Sequence, residues 1–277
     1  SRGRSTVDGQ HRPPAADRRE QAWRIVTLSE VNRRKQLDDG APAAKIEIVP
    51  NGVLLPDAAD AGGGTTDGDP YADTGGDDGV IPLPVRRPKL RVGFVGRVVP
   101  IKDVVTFVKA CDLALRSVDL DVRIIGPVDE DPDYVARCRA LVERLGREEQ
   151  IRFVGPKPPS EIYRDLDLVA LTSFSEGQPL VMLEAYACGV PVLSTDVGAC
   201  REMIEGRTAE DRALGPSGIV CPVASPTRTA EALVLLAHDE RLRRRMGHAG
   251  RRRVTIYYQR RTMLASYRAL YGALVTS

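Results

Sequence analysis

The chain is 277 residues long and 42% hydrophobic, and its 40 basic and 38 acidic side chains leave a net charge of only +2. That length is enough to bury at least one full core. The near-balance of charge gives no overall electrostatic case for nucleic acid, and no apolar run approaches the roughly 20 residues of a membrane-spanning helix or forms the core of a signal peptide, so a soluble, cytoplasmic protein is expected.

Residues 1–22 are polar, Arg-rich and Pro-containing, with too little apolar surface to offset the entropy of ordering, which predicts a disordered tail. From Trp23 the reading changes. "RIVTL" is a strand, "SEVNRRKQLDDG" a helix capped by Ser29 and stopped by Gly40, and "KIEIVPNGV" a second strand ending in a turn. This βαβ piece, residues 23–56, is too small to stand alone. In residues 57–79 the only charged side chains are aspartates, among Gly, Ala and Thr, so 57–88 reads as a linker or surface insertion.

After Pro88 strands and helices alternate. The strands are "LRVGFVG", "DVRIIG", "IRFVG", "DLVALT", "VPVLST" and "GIVCPV"; Asp131 with Pro132, Ser160, and Ser225 with Pro226 open helices between or after them. Alternation of this kind predicts an α/β fold, a doubly wound parallel sheet over residues 89–247 with helices on both faces, and ligands bound outside the carboxyl ends of the strands. A helical tail is read from Arg241 onward, with residues 248–277 as a C-terminal extension whose apolar residues, such as Met263, Leu264, Tyr267 and Leu270, recur at helical spacing. Its clusters "RLRRRM" and "GRRRV" form a solvated face or, alternatively, a contact for a phosphate-rich partner.

The chemistry concentrates in two stretches. In "LTSFSEGQPLVMLEAYACGVPVLSTD" (171–196) an apolar strand ends in an acidic loop that runs into a helix. Pro179 suits the first helical position, which leaves the amides of Leu180 and Val181 unpaired and pointing back at Glu176 and Gly177, an anion site. In "VGFVGRVVPIKD" Gly96 permits close approach of the backbone to a ligand while Arg97 and Lys102 supply two cations suited to a diphosphate; a plain turn with solvated cations is the alternative. The glycine fingerprint G-x-G-x-x-G is absent, which counts against a dehydrogenase-like nicotinamide site. "DLD" (165–167) lies at the start of a buried strand, "DEDPD" (129–133) lacks the Gly and final Glu of a calcium loop, and the five scattered cysteines form no Cys-x-x-Cys pair. No metal, zinc site or disulfide framework is expected.

These residues resemble a family. "GR" with Lys102 five residues after Arg97, and "EGQPLVMLE" with seven residues between Glu176 and Glu184, look like the C-terminal half of the retaining family-4 glycosyltransferases, which have two Rossmann-like domains in the GT-B fold. "VGRVVPIKDVVTF", "IGPVDEDPDY", "TSFSEGQPLVMLEA" and "STDVGACREMIEG" are closer still to the PelF type, of Pel exopolysaccharide synthesis. The resemblance implies that residues 23–56 are a remnant of the N-terminal domain with the interdomain crossing. It implies a UDP-sugar donor, glucose being the hexose of the PelF type, a sugar acceptor, membrane-associated polysaccharide-synthesis proteins as partners, and no cofactor or metal. Carried over by residue, Arg97 and Lys102 meet the donor diphosphate, Glu176 the donor sugar, and Glu184 the ribose, while Gly96, Gly177, Gln178, Pro179 and Leu180 hold phosphate and sugar through the backbone. Most of the domain that supplies the acceptor site in that family is missing, so half an enzyme is expected, inactive alone. The competing reading is a non-catalytic module that binds a partner or polyanion through its Arg-rich terminal helices.

Overall fold

The computed structural model describes residues 23–55 and 89–276; the expectations for residues 1–22 and 57–88 fall outside them. The larger unit is built on six parallel strands: β3 (Leu90–Val95), β4 (Leu120–Ile125), β5 (Ile151–Gly155), β6 (Leu168–Leu171), β7 (Val192–Thr195) and β8 (Gly218–Cys221). Their order across the sheet is β5-β4-β3-β6-β7-β8, the doubly wound arrangement in which the chain starts at the centre and grows outward in both directions. β3 and β6 therefore flank the point where the strand order reverses.

Every residue of β6 and β7 is buried, which is why these segments read as unbroken apolar runs. Alternate side chains point to opposite faces. Leu168 and Ala170 join the core under the helices Val104–Ala114, Pro132–Arg144 and Pro226–His238, whereas Val169 and Leu171 join the second core under Leu180–Ala187, Cys200–Glu205 and Glu240–Tyr257. Asp131 caps its helix as expected, its Oδ1 accepting from Tyr134 N at 2.9 Å with Pro132 at the first helical position, whereas the short helix read from Ser160 opens at Pro159 without a side-chain cap. Ser225 stands at the cap position before Pro226 as read, but its side chain makes no cap bond; its carbonyl only accepts the first helical bond, from Thr229 N.

The piece at residues 23–55 is a parallel pair, β1 (Ile25–Thr27) and β2 (Ile46–Ile48), joined by the helix Glu30–Asp38. Ser29 Oγ accepts from Asn32 N, and Gly40, at φ 91°, follows the helix end, as read.

Two expectations about the tail need correction. It is two helices, Glu240–Tyr257 and Arg260–Thr276, because Val53 pairs with the chain where they join: Val53 N donates to Tyr258 O at 2.9 Å and Arg260 N to Val53 O at 3.0 Å. Position 247 lies inside the first of these helices. Nor is "GRRRV" simply a solvated face, since Arg253 is completely buried and Arg251 Nη1 donates to Ala187 O at 2.7 Å. The helix Glu240–Tyr257 can lie this close because a Cβ on Gly247 would come within 2.0 Å of Gly189 O.

Candidate functional site

β3 ends at Val95, and Gly96 turns the chain at φ 151°. There the loop passes against the end of β4: a Cβ on Gly126 would lie 2.1 Å from Gly96 O. A short 3-10 turn, Pro100–Lys102, leads to Asp103, whose left-handed backbone (φ 46°, ψ 54°) is the kind Asp tolerates and whose Oδ1 caps the next helix through Thr106 N at 3.1 Å.

The loop after β6 is strapped to this one. Thr172 Oγ1 donates to Asp103 O at 2.8 Å and to Lys102 O at 3.2 Å, and Phe174 N donates to Ile101 O at 2.8 Å. Lys102 Nζ and Ser173 Oγ both donate to Glu176 Oε1 at 2.6 Å. This carboxylate has 9% of its side chain exposed, against 22% for Lys102, so the pair is shielded but reachable. Below it, Thr195 Oγ1 donates to Ser173 O at 2.7 Å and Ala199 N to Gly177 O at 2.9 Å. The second contact requires Gly198, at φ 51°, where a Cβ would lie 1.9 Å from Glu176 O.

The helix Leu180–Ala187 begins one residue later than read: Pro179 is extended (φ −69°, ψ 122°) and occupies the cap position. The physical consequence is unchanged. The amides of Leu180 and Val181 have no acceptor within the helix, at the end of the loop that carries Glu176. Gln178 is only 5% exposed, and its side chain turns away from that opening. Its Oε1 accepts from Asn51 N at 2.6 Å, its Nε2 donates to Leu28 O at 3.2 Å, and Asn51 Nδ2 donates to Gln178 O at 3.1 Å. What Gln178 offers the loop is backbone, while its side chain holds residues 28 and 51.

Arg97 and Gly96 lie on the same loop as Lys102, but Arg97 is turned outward, its Nη1 2.5 and 2.8 Å from the two oxygens of Glu130, with both side chains about half exposed. Glu184 stands in the second turn of its helix and accepts from Tyr163 Oη at 2.5 Å. Ser173, Gly198, Glu130, Asn51 and Tyr163 belong to the site's surroundings without having been read from the sequence. Ser173, Gly198 and Glu130 lie inside the motifs "TSFSEG", "STDVGA" and "IGPVDEDPDY"; Asn51 and Tyr163 are brought in by long-range contacts with no local signal.

Of the acidic stretches set aside in the sequence, "DLD" is structural. Asp167 takes Arg91 as a fork, Nη2 at 2.8 Å and Nε at 3.0 Å, plus Arg91 N at 2.9 Å, at the amino end of β6, away from the loops described above. Burial alone would raise the Asp167 carboxyl, but these bonds outweigh it and the net shift is downward. Among the described residues no three His, Cys, Asp or Glu side chains form a group able to hold a metal ion, and no helix is long and apolar enough to cross a membrane.

Comparison with known proteins follows the same residues. The family model of glycosyl transferases group 1 matches residues 83–253. Curated relatives include a D-inositol 3-phosphate glycosyltransferase of Corynebacterium glutamicum, 38% identical over 165 residues, covering 56% of this chain and 37% of that protein. Another is the N-acetyl-alpha-D-glucosaminyl L-malate synthase of Bacillus anthracis, 30% identical over 172 residues, covering 62% and 42%. The chain thus spans less than half the length of these relatives. Similar folds are found in HepE of Anabaena in complex with UDP and glucose, with TM-score 0.70 at 16% identity over 93% of this chain and 67% of that one. The C-terminal domain of the group 1 glycosyl transferase LpcC from Francisella tularensis aligns at TM-score 0.54 and 27% identity, over 65% of this chain and 95% of that one. With the family model covering well over half of its residues, this chain belongs to the glycosyl transferases group 1 family, of the GT-B type.

Proposed function

We propose that this chain is the donor-binding half of a retaining glycosyltransferase that moves a hexose, glucose in the first instance, from a UDP-sugar to a hydroxyl of a sugar acceptor in polysaccharide synthesis. The observation that carries this reading is the meeting of Lys102 and Glu176, 74 residues apart in sequence and 2.6 Å apart in space, at the switch point of the sheet beside the free amides of Leu180 and Val181. A site with a cation, a carboxylate and helix-end amides suits a ligand that is anionic at one end and hydroxylated at the other. The solved complex of HepE with UDP and glucose supports the ligand class. The family-4 and PelF assignments rest on the resemblance of the motifs; the names of the curated relatives point to acceptors other than a polysaccharide.

In this mechanism the diphosphate takes Lys102 from Glu176 and Arg97 from Glu130. Glu176 then faces the sugar hydroxyls, and Glu184 the ribose. As the bond from the anomeric carbon to the diphosphate breaks, negative charge builds on UDP, where Arg97, Lys102 and the two amides are already placed to stabilise it. The acceptor hydroxyl attacks the anomeric carbon from the face that UDP leaves and passes its proton to the departing diphosphate oxygen, and placing the acceptor falls to groups outside those described. No metal or cofactor enters this scheme, and polysaccharide-synthesis partners at a membrane remain part of the proposal.

Calorimetric titration with UDP, UDP-glucose, GDP and NAD tests the reading. Binding of UDP and UDP-glucose is expected. Binding of NAD with indifference to UDP would overturn it, and so would salt-sensitive binding of nucleic acid with no response to UDP, the signature of a polyanion-binding module.

A further inference from the structure

Tyr163 lies outside both motifs. It sits in the 3-10 turn Tyr163–Asp165 that leads into β6 and is 2% exposed, packed in the same core as Met182 and Leu183 of the helix that carries Glu184. A buried hydroxyl without a partner costs free energy, so the phenol must find an acceptor. It donates to Glu184 Oε2 at 2.5 Å, the length of a charge-assisted O–H···O⁻ bond. Burial pushes the phenol's pKa up, and the adjoining Glu184 carboxylate pushes it further, so Tyr163 keeps its proton and stays a donor at any ordinary pH.

The consequence falls on Glu184. A free glutamate on a helix surface samples several rotamers, and ordering it for a ligand costs entropy. Here one carboxylate oxygen is tied to a rigid aromatic ring, while Oε1 takes no hydrogen bond from the described residues and Glu184 is only partly buried. We infer that Tyr163 is a positioning residue that holds the Glu184 carboxylate for the vicinal hydroxyls of the ribose, and that the pair thereby selects a ribonucleotide donor over its 2′-deoxy counterpart. This rests on the reading of Glu184 as the ribose ligand.

The test is a double-mutant cycle of Tyr163→Phe and Glu184→Gln, titrated with UDP and with 2′-deoxy-UDP. Tyr163→Phe keeps the buried ring and removes one oxygen, and a thermal melt of each variant checks the fold. The wild-type protein is expected to prefer UDP. Tyr163→Phe should lower UDP affinity about 3- to 10-fold, the worth of one hydrogen bond, leave 2′-deoxy-UDP nearly unchanged, and have no further effect on the preference in the Glu184→Gln background. Equal weakening of both ligands would mean that Tyr163 only supports the fold, and an unchanged preference would mean that Glu184 holds its place unaided; either overturns the inference and leaves the UDP site standing. A wild-type protein that binds UDP and 2′-deoxy-UDP equally would instead remove Glu184 from the ribose, and the inference with it.

Discussion

Arg253 uses its whole guanidinium inside the protein. Nε donates to Asp211 Oδ1 at 2.6 Å, Nη1 to Ile204 O and Ser217 Oγ, and Nη2 to Asp211 O and Gly215 O. A buried ion pair adds little net stability, but removing one partner leaves the other charge stranded. Arg253→Met is therefore expected to cost about 3–5 kcal/mol in urea unfolding, whereas Arg201→Ala, which breaks exposed pairs with Asp196 and Glu205, should cost at most about 1 kcal/mol. Equal losses would show that Asp211 is not stranded. The same contrast applies at the proposed donor site, where Arg97 and Glu130 are each about half exposed. Arg97→Ala should weaken UDP and UDP-glucose but spare uridine, which has no diphosphate. Glu130→Gln removes a competitor for Arg97 and should tighten UDP about 2- to 5-fold. An Arg97→Ala protein that bound UDP as tightly as wild type would remove Arg97 from the site.

At the scale of elements, the loop before the helix Leu180–Ala187 is held from two sides. Gly177 O is fixed by Ala199 N from the loop after β7, and the Gln178 side chain is fixed by residues 28 and 51 of the N-terminal piece. The piece at residues 23–55 is tied to the sheet domain elsewhere too: Val53 pairs with the backbone at the junction of the last two helices. Gln178→Ala would leave the half-buried Asn51 N and Leu28 O without these partners, at about 1 kcal/mol. Faster hydrogen exchange at Asn51 is the expected outcome, with exchange in the sheet strands unchanged. Unaltered exchange at Asn51 would mean that the Val53 pairing suffices to hold the segment.

For the whole molecule, two carboxylates bound to arginines are expected to add stability that acid removes. Asp167 and Asp121 are both buried enough to be raised, but Arg91 in one case and Arg152 with Arg123 in the other draw them below the ordinary 3.8. A depressed carboxyl stabilises the fold above its unfolded pKa and loses that contribution as pH falls through its folded value. Glu202 works the other way: burial raises it despite Arg207, so its contribution is present at low pH and lost as pH rises. Asp167→Asn should lower the denaturant midpoint at pH 7 and flatten the decline below pH 3.8; an unchanged slope would assign the acid limb to other groups. The sequence alone determined the strands, their parallel alternation with helices, the caps at Ser29 and Asp131, and the motifs that carry the candidate site, because periodicity, cap chemistry and loop glycines act over a few residues. Only the tertiary structure decided that Lys102 meets Glu176, that Arg97 rests on Glu130, that Tyr163 holds Glu184, that Gln178 faces the N-terminal piece and that Arg253 is buried. Each of those contacts joins segments far apart in the chain, and which side chains meet there depends on the order in which the strands pair.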